Sequence, residues 1–245
     1  MRLKSIHFLL SLFFLGLFLL ACMPNEPMPG PGPEPEPVDT LMVEGLTFLA
    51  LGDSYTIGES VGINLRWPVQ LKDSLIAQGL EVESPRIIAR TGWTTDDLLQ
   101  AIGNNSNLNP TYDLVSLLIG VNNQYRNYDF VQYEQEFPVL LSQALNLAGG
   151  DTNRVIVLSI PDYGVTPFGA SGDPEKIARD LDEYNAFAQT EAEKKGIRFF
   201  DITPISREAK DDGSLVASDG LHPSGKMYTR WVQLIREEVE RKLAR

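Results

Sequence analysis

The sequence predicts an α/β domain in which a five-stranded parallel sheet carries helices on both faces. Short, continuous apolar runs alternate with amphipathic stretches through the C-terminal part of the chain. The runs lack the in-out alternation of strands that turn one face to water, so they read as strands buried on both sides. That part is roughly 200 residues long, enough for one domain with a substantial core.

The elements follow in order. Residues 46–51 form the first strand and 67–78 a helix; 86–89 and 114–119 are strands followed by helices at 95–102 and 131–147. Residues 154–160 are rich in Val and Ile. Residues 174–194 place Ile177, Leu181, Tyr184, Phe187 and Ala188 at helical spacing, 197–200 is a short fifth strand, and 227–243 closes the domain as a helix. In parallel sheets of this kind ligands collect at the carboxyl ends of the strands, which directs attention to the loops after each run.

The N-terminal segment has a different character. Arg2 and Lys4 precede an apolar run over 8–20, short for a membrane span and typical of a secretory signal peptide, here 1–21. Leu19-Leu20-Ala21-Cys22 matches the bacterial lipoprotein pattern in which Cys22 is diacylated and becomes the new N-terminus; the alternative is an ordinary signal with an incidental cysteine. The lipoprotein reading implies export and lipid anchoring to the bacterial cell envelope, and Met23 after Cys22 fits outer-membrane sorting. Proline recurs at nearly every second position from Pro24 to Pro37, so 22–40 is expected to be an extended tether ahead of a domain at 41–245.

Composition excludes several chemistries. Cys22 is the single cysteine, which removes thiol nucleophiles, thiolate metal sites and disulfides from the domain. The net charge of −12 disfavours nucleic acid as a partner and leaves membrane contact to the N-terminal lipid. Nothing in the sequence sets the oligomeric state.

Four loops carry candidate chemistry: Gly52-Asp53-Ser54-Tyr55 after the first strand, Thr91-Gly92-Trp93 after the second, Gly120-Val121-Asn122-Asn123 after the third, and Asp219-Gly220-Leu221-His222 before the last helix. The only other histidine is His7 in the signal segment, so a multi-histidine metal site is excluded. Asp219 and His222 straddle a Gly-Leu turn that lets the carboxylate accept the Nδ1 proton and leaves Nε2 as a base; the structural alternative is a histidine that caps or packs the last helix. Ser54 supplies the nucleophile of a triad, because a serine hydroxyl attacks only when a neighbouring base takes its proton. Asp53 is expected to fix the turn or cap the following helix. The backbone N–H groups of Ser54 and Gly92 and the side-chain amide of Asn122 are candidate oxyanion donors, although Gly92 also fits a simple turn and Asn122 a self-bonded loop.

In order and placement these blocks resemble those of the GDSL/SGNH hydrolase family, and the similarity runs from about Leu46 to the last helix. The resemblance implies a flavodoxin-like three-layer α/β/α sandwich, a serine nucleophile near the N-terminus, an oxyanion hole from Ser54, Gly92 and Asn122, and no cofactor or metal. Asn123 stands where family members often carry Asp.

Tyr55, Ile57, Trp93, Val121 and Tyr125 are candidate pocket residues, and the segment from Tyr163 to Phe168 a further wall. Without a long lid, the favoured substrate is a small-molecule or glycan ester with a short, acetyl-type acyl group, hydrolysed through an acyl-enzyme. Two alternatives stand beside it: a non-catalytic surface lipoprotein that binds a glycan or acylated ligand in the same cleft, and a metal-dependent phosphoesterase built on Asp53, Asn122 and His222, which has few ligands.

Overall fold

A computed structural model describes residues 45–244; the expected signal peptide at 1–21, Cys22 and the expected tether at 22–40 lie outside the described residues. Five strands, β1 (Phe48–Gly52), β2 (Arg86–Ala89), β3 (Leu114–Leu118), β4 (Val155–Leu158) and β5 (Arg198–Phe200), form one parallel sheet in the order β2-β1-β3-β4-β5. This is the flavodoxin-like order, with the winding direction reversing between β1 and β3. Strands β1, β3 and β4 are buried throughout, which is why each reads as a continuous apolar run. The first strand begins at Phe48 and not at Leu46, whose backbone makes an isolated bridge to Val82.

Eight α-helices lie among the described residues: α1 (Ser54–Ile57), α2 (Trp67–Ile76), α3 (Thr95–Gly103), α4 (Val121–Tyr125), α5 (Phe130–Leu147), α6 (Pro174–Lys194), α7 (Thr203–Arg207) and α8 (Gly225–Leu243). The long ones divide into two packed groups, α2 with α8 and α5 with both α3 and α6. Trp67 of α2 and Trp231 of α8 are fully buried. In the other group Tyr133 of α5 meets Tyr184 of α6 with ring centroids 4.5 Å apart, a spacing at which aromatic pairs stabilise beyond their buried area.

Register positions the site. Gly52 at the end of β1 is level with Ala89 of β2 on one side and Leu118 of β3 on the other, so the three loops that follow leave the sheet at the same height. The crossing is tight at Gly52, where a Cβ would come within 2.2 Å of Thr56 Oγ1 and 2.4 Å of the Leu118 carbonyl oxygen. Only glycine fits between the strand end and the first turn of α1. Gly52→Ala is therefore expected to destabilise the protein by at least about 2 kcal/mol through overpacking, seen as a lower urea midpoint.

Candidate active site

Ser54 opens α1, directly behind the end of β1. Asp53 caps this four-residue helix, its Oδ1 accepting the Tyr55 N–H at 3.0 Å, as the sequence leads one to expect. Asp53 is wholly buried and its Oδ2 has no protein partner among the described residues. Burial pushes its carboxyl up to about 7, against the pull of the Tyr55 N–H.

The last loop approaches from the opposite end of the chain. His222 Nδ1 lies 2.6 Å from Asp219 Oδ2, and Asp219 Oδ1 accepts the backbone N–H groups of Leu221 and His222 at 2.9 and 3.0 Å. Ser60 Oγ donates to the same Oδ2 at 2.5 Å. Partial burial pushes the Asp219 carboxyl up, but the bonds from Ser60, His222 and the two backbone N–H groups outweigh it and hold the acid well below the usual carboxylate range. Asp219 thus stays ionised and is placed to accept a hydrogen bond from Nδ1–H of His222, with Nε2 on the far side of the ring from this contact. The Tyr55 ring packs edge-on against the imidazole at 5.8 Å, and His222 is buried.

The remaining two loops bring hydrogen-bond donors. Trp93 N–H bonds the Arg90 carbonyl at 3.2 Å and Gly92 has φ +84°, the geometry of a type II turn with glycine at its third position. Gly92 is therefore a turn glycine and also lines the cavity. Arg126 holds the Gly92 carbonyl at 2.6 Å, and among the described residues no backbone carbonyl outside the helices and strands accepts the N–H of Gly92 or of Ser54. Asn122 spends one amide hydrogen on the Trp93 carbonyl at 2.9 Å, which fixes the side chain and leaves its second hydrogen available. Asn123 is buried and clamps the neighbouring loop, accepting from Thr95 N at 3.1 Å and donating to Thr95 Oγ1 at 2.7 Å.

Ser54, Gly92, Asn122 and His222 line one cavity of about 190 Å³, with Tyr55 and Tyr125 in its walls. No direct hydrogen bond joins the Ser54 and His222 side chains among the described residues. Trp93 is a correction: its indole packs against the hydrophobic core and does not line this cavity, because an apolar side chain at the end of the turn gains more from burial inward than from facing the cleft. Ile57 is likewise outside it, whereas Val121, Tyr163 and Phe168 line it.

Three residues near the site escaped the sequence reading. Ser60, Glu59 and Arg126 act across the fold: Ser60 on Asp219, Glu59 on Thr91 beside Gly92, and Arg126 on Gly92 itself. Their only sequence signal is proximity to a motif. Among the described residues no three His, Cys, Asp or Glu side chains gather to hold a metal ion, and no helix is long and apolar enough to cross a membrane.

Residues 50–230 match the model of the GDSL-like Lipase/Acylhydrolase family. Among solved structures, a lipase/acylhydrolase from Enterococcus faecalis superposes with TM-score 0.62 at 22% identity, covering 80% of this chain and 96% of that one. An acetylxylan esterase from Geobacillus stearothermophilus gives 0.59 at 22% identity, covering 80% and 94%. A member of the lipolytic G-D-S-L family from Veillonella parvula gives 0.59 at 18% identity, covering 79% and 97%. No curated protein matches the sequence.

The Asp53 carboxyl gives a pH prediction. A folded-state value raised from 3.8 to about 7 means that the folded protein binds more protons than the unfolded chain between those values, so this group lowers stability as pH rises through the window. Asp53→Asn, which keeps an acceptor for the Tyr55 N–H, is expected to flatten the fall in urea midpoint between pH 4 and pH 7.

Proposed function

Because the chain belongs to the GDSL-like Lipase/Acylhydrolase family and is a carboxylic ester hydrolase, we propose that it works by serine acyl transfer, with Ser54 as nucleophile, His222 as general base and Asp219 as its orienting acid. The observation that carries this reading is the 2.6 Å contact between His222 Nδ1 and Asp219 Oδ2 at a cavity that Ser54 shares. It supports the tautomer with the proton on Nδ1, which a base acting through Nε2 needs.

The Ser54 Oγ attacks the ester carbonyl carbon while its proton passes to His222 Nε2, a hydrogen bond that tightens when substrate is in place. The carbonyl oxygen becomes an oxyanion, received by the N–H groups of Ser54 and Gly92 and the second amide hydrogen of Asn122. Collapse breaks the bond to the alcohol, which leaves with the proton from His222. Water, deprotonated by the same imidazole, then attacks the acyl-Ser54 carbonyl; the bond to Ser54 Oγ breaks, the imidazolium returns its proton to that oxygen, and the acid is released. Atoms and protons balance without a metal or cofactor.

A short, acetyl-type acyl group is the proposed substrate feature, supported by the modest volume of the cavity around Ser54 and by likeness to a fold that serves an acetylxylan esterase. Export with Cys22 lipidated and the 22–40 tether as a spacer completes the proposal; it rests on the sequence pattern and places the domain on the cell envelope.

Ser54→Ala is expected to reduce hydrolysis of p-nitrophenyl acetate to background, whereas full turnover in that variant would remove Ser54 as nucleophile. Asn122→Ala is expected to lower kcat by about 10²–10³-fold with little change in KM, as for loss of one oxyanion donor.

Ser60 is the proposed support for Asp219. It sits at φ +62°, a left-handed conformation that costs a non-glycine residue about 1–2 kcal/mol and here aims its hydroxyl at the acid. In Ser60→Gly the relief of that strain offsets the extra freedom of the unfolded glycine, so the melting temperature should hold. Turnover should still fall by about three- to tenfold, the scale of one hydrogen bond, with KM unchanged.

A further inference from the structure

Asn122 presents its second amide hydrogen from α4, a helix of five residues and too short to hold its own position. Its N-cap is Gly120, which has no side chain to cap it. We propose that Glu136, in α5, is a positioning residue for Asn122, acting through a chain of hydrogen bonds that runs over Thr95 and Asn123. The inference rests on the reading of Asn122 as an oxyanion donor.

The chain can run in one direction only. The backbone N–H of Thr95 can only donate, and it gives its proton to Asn123 Oδ1 at 3.1 Å. The amide nitrogen of Asn123 is thereby turned to Thr95 Oγ1, to which it donates at 2.7 Å. With Oγ1 accepting there, its single proton points away from the amide, and Glu136 Oε2 receives it. A carboxylate, which only accepts, suits that place. The other oxygen of Glu136 is taken by Gln132 Nε2 at 3.0 Å, one turn earlier on α5.

Burial makes each link matter. Thr95 and Asn123 are fully buried and Glu136 is half-buried, so a broken link leaves a polar group with no water in exchange. Glu136 does not line the reaction cavity and reaches it through these partners.

The chain ends where the chemistry begins. One residue before Asn123, Asn122 bonds the Trp93 carbonyl at 2.9 Å, and just past α4, Arg126 bonds the Gly92 carbonyl at 2.6 Å. The α4 segment is thus clamped to the loop at 92–95 by three side chains, of which Asn123 alone makes its contact in the interior. Releasing that clamp moves the Asn122 amide relative to the Gly92 N–H, with which it shares the oxyanion. A displaced donor leaves substrate binding intact and loses transition-state stabilisation.

The test measures kcat and KM for p-nitrophenyl acetate in Glu136→Met, Glu136→Gln, Asn122→Ala and the double variant Asn122→Ala/Glu136→Met. Glu136→Met, which keeps the length and removes the acceptor, is expected to lower kcat about tenfold with KM unchanged, less than the loss of a whole donor. Glu136→Gln keeps an acceptor for the Thr95 hydroxyl and should recover most of that loss. In the Asn122→Ala background the effect of Glu136→Met should shrink to less than about twofold, because the amide it positions is gone. An undiminished kcat in Glu136→Met, or an equal loss with and without Asn122, overturns the proposal while Asn122 keeps its role. Full kcat in Asn122→Ala removes the oxyanion reading and the proposal with it. Should Glu136→Met fail to fold, Asn123→Asp and Asn123→Asp/Glu136→Gln decide. Asn123→Asp sets two carboxylates on one hydroxyl proton and should lower kcat. The double variant lets the chain run in reverse, from the new amide through the Thr95 hydroxyl to the new carboxylate, and should restore it; no restoration overturns the proposal.

Discussion

Strand β1 lies between β2 and β3, and the three run in one direction with their last residues level. Parallel pairing allows this arrangement only because each connection crosses back over the sheet through a helix, which leaves all carboxyl ends on one edge. Ser54, Gly92 and Asn122 are then brought together by register, although 68 positions separate the first from the last in the sequence. Close packing at Gly52 makes the level exact enough for α1 to begin immediately. The fourth loop has no strand to place it, and it reaches the site through α8, which packs on α2, and through the bond between Asp219 and Ser60.

Asp53 and Asp219 show how one residue type takes opposite roles. Asp53 gives one oxygen to a helix cap and leaves the other without a protein partner in the interior, so burial favours its neutral form. Asp219 receives four hydrogen bonds, two from backbone and two from side chains, and remains an anion despite partial burial. The hydrogen-bond inventory around each carboxylate, and not its distance from the serine, separates the structural acid from the one suited to orient an imidazole. Glu59 and Ser60, consecutive residues, tie the turn after the nucleophile to the Gly92 loop and to Asp219, so three of the four loops share one brace.

The long elements were legible in the sequence because periodicity needs length: each strand run and each helix of more than two turns lies within a few residues of its expected position. The helices α1, α4 and α7, at four or five residues, are too short to show a period and owe their existence to tertiary packing. In the site, the residues that gather at the cavity were legible as short motifs, since Gly-Asp-Ser, Gly-x-Asn and Asp-x-x-His each carry their own local geometry. Ser60, Glu59 and Arg126 were not, because their significance arises only when distant loops meet. Trp93 was misjudged for a related reason: an aromatic residue in a functional loop faces either cleft or core, and a sequence does not record which.

The central claim is that Ser54 is made nucleophilic by His222. Labelling with diethyl p-nitrophenyl phosphate, followed by peptide mass spectrometry, tests it most directly. The account predicts one covalent adduct on the peptide that contains Ser54, formed in step with loss of esterase activity, and little labelling of His222→Ala under the same conditions. An adduct on another residue, or equal labelling of Ser54 without His222, would contradict it.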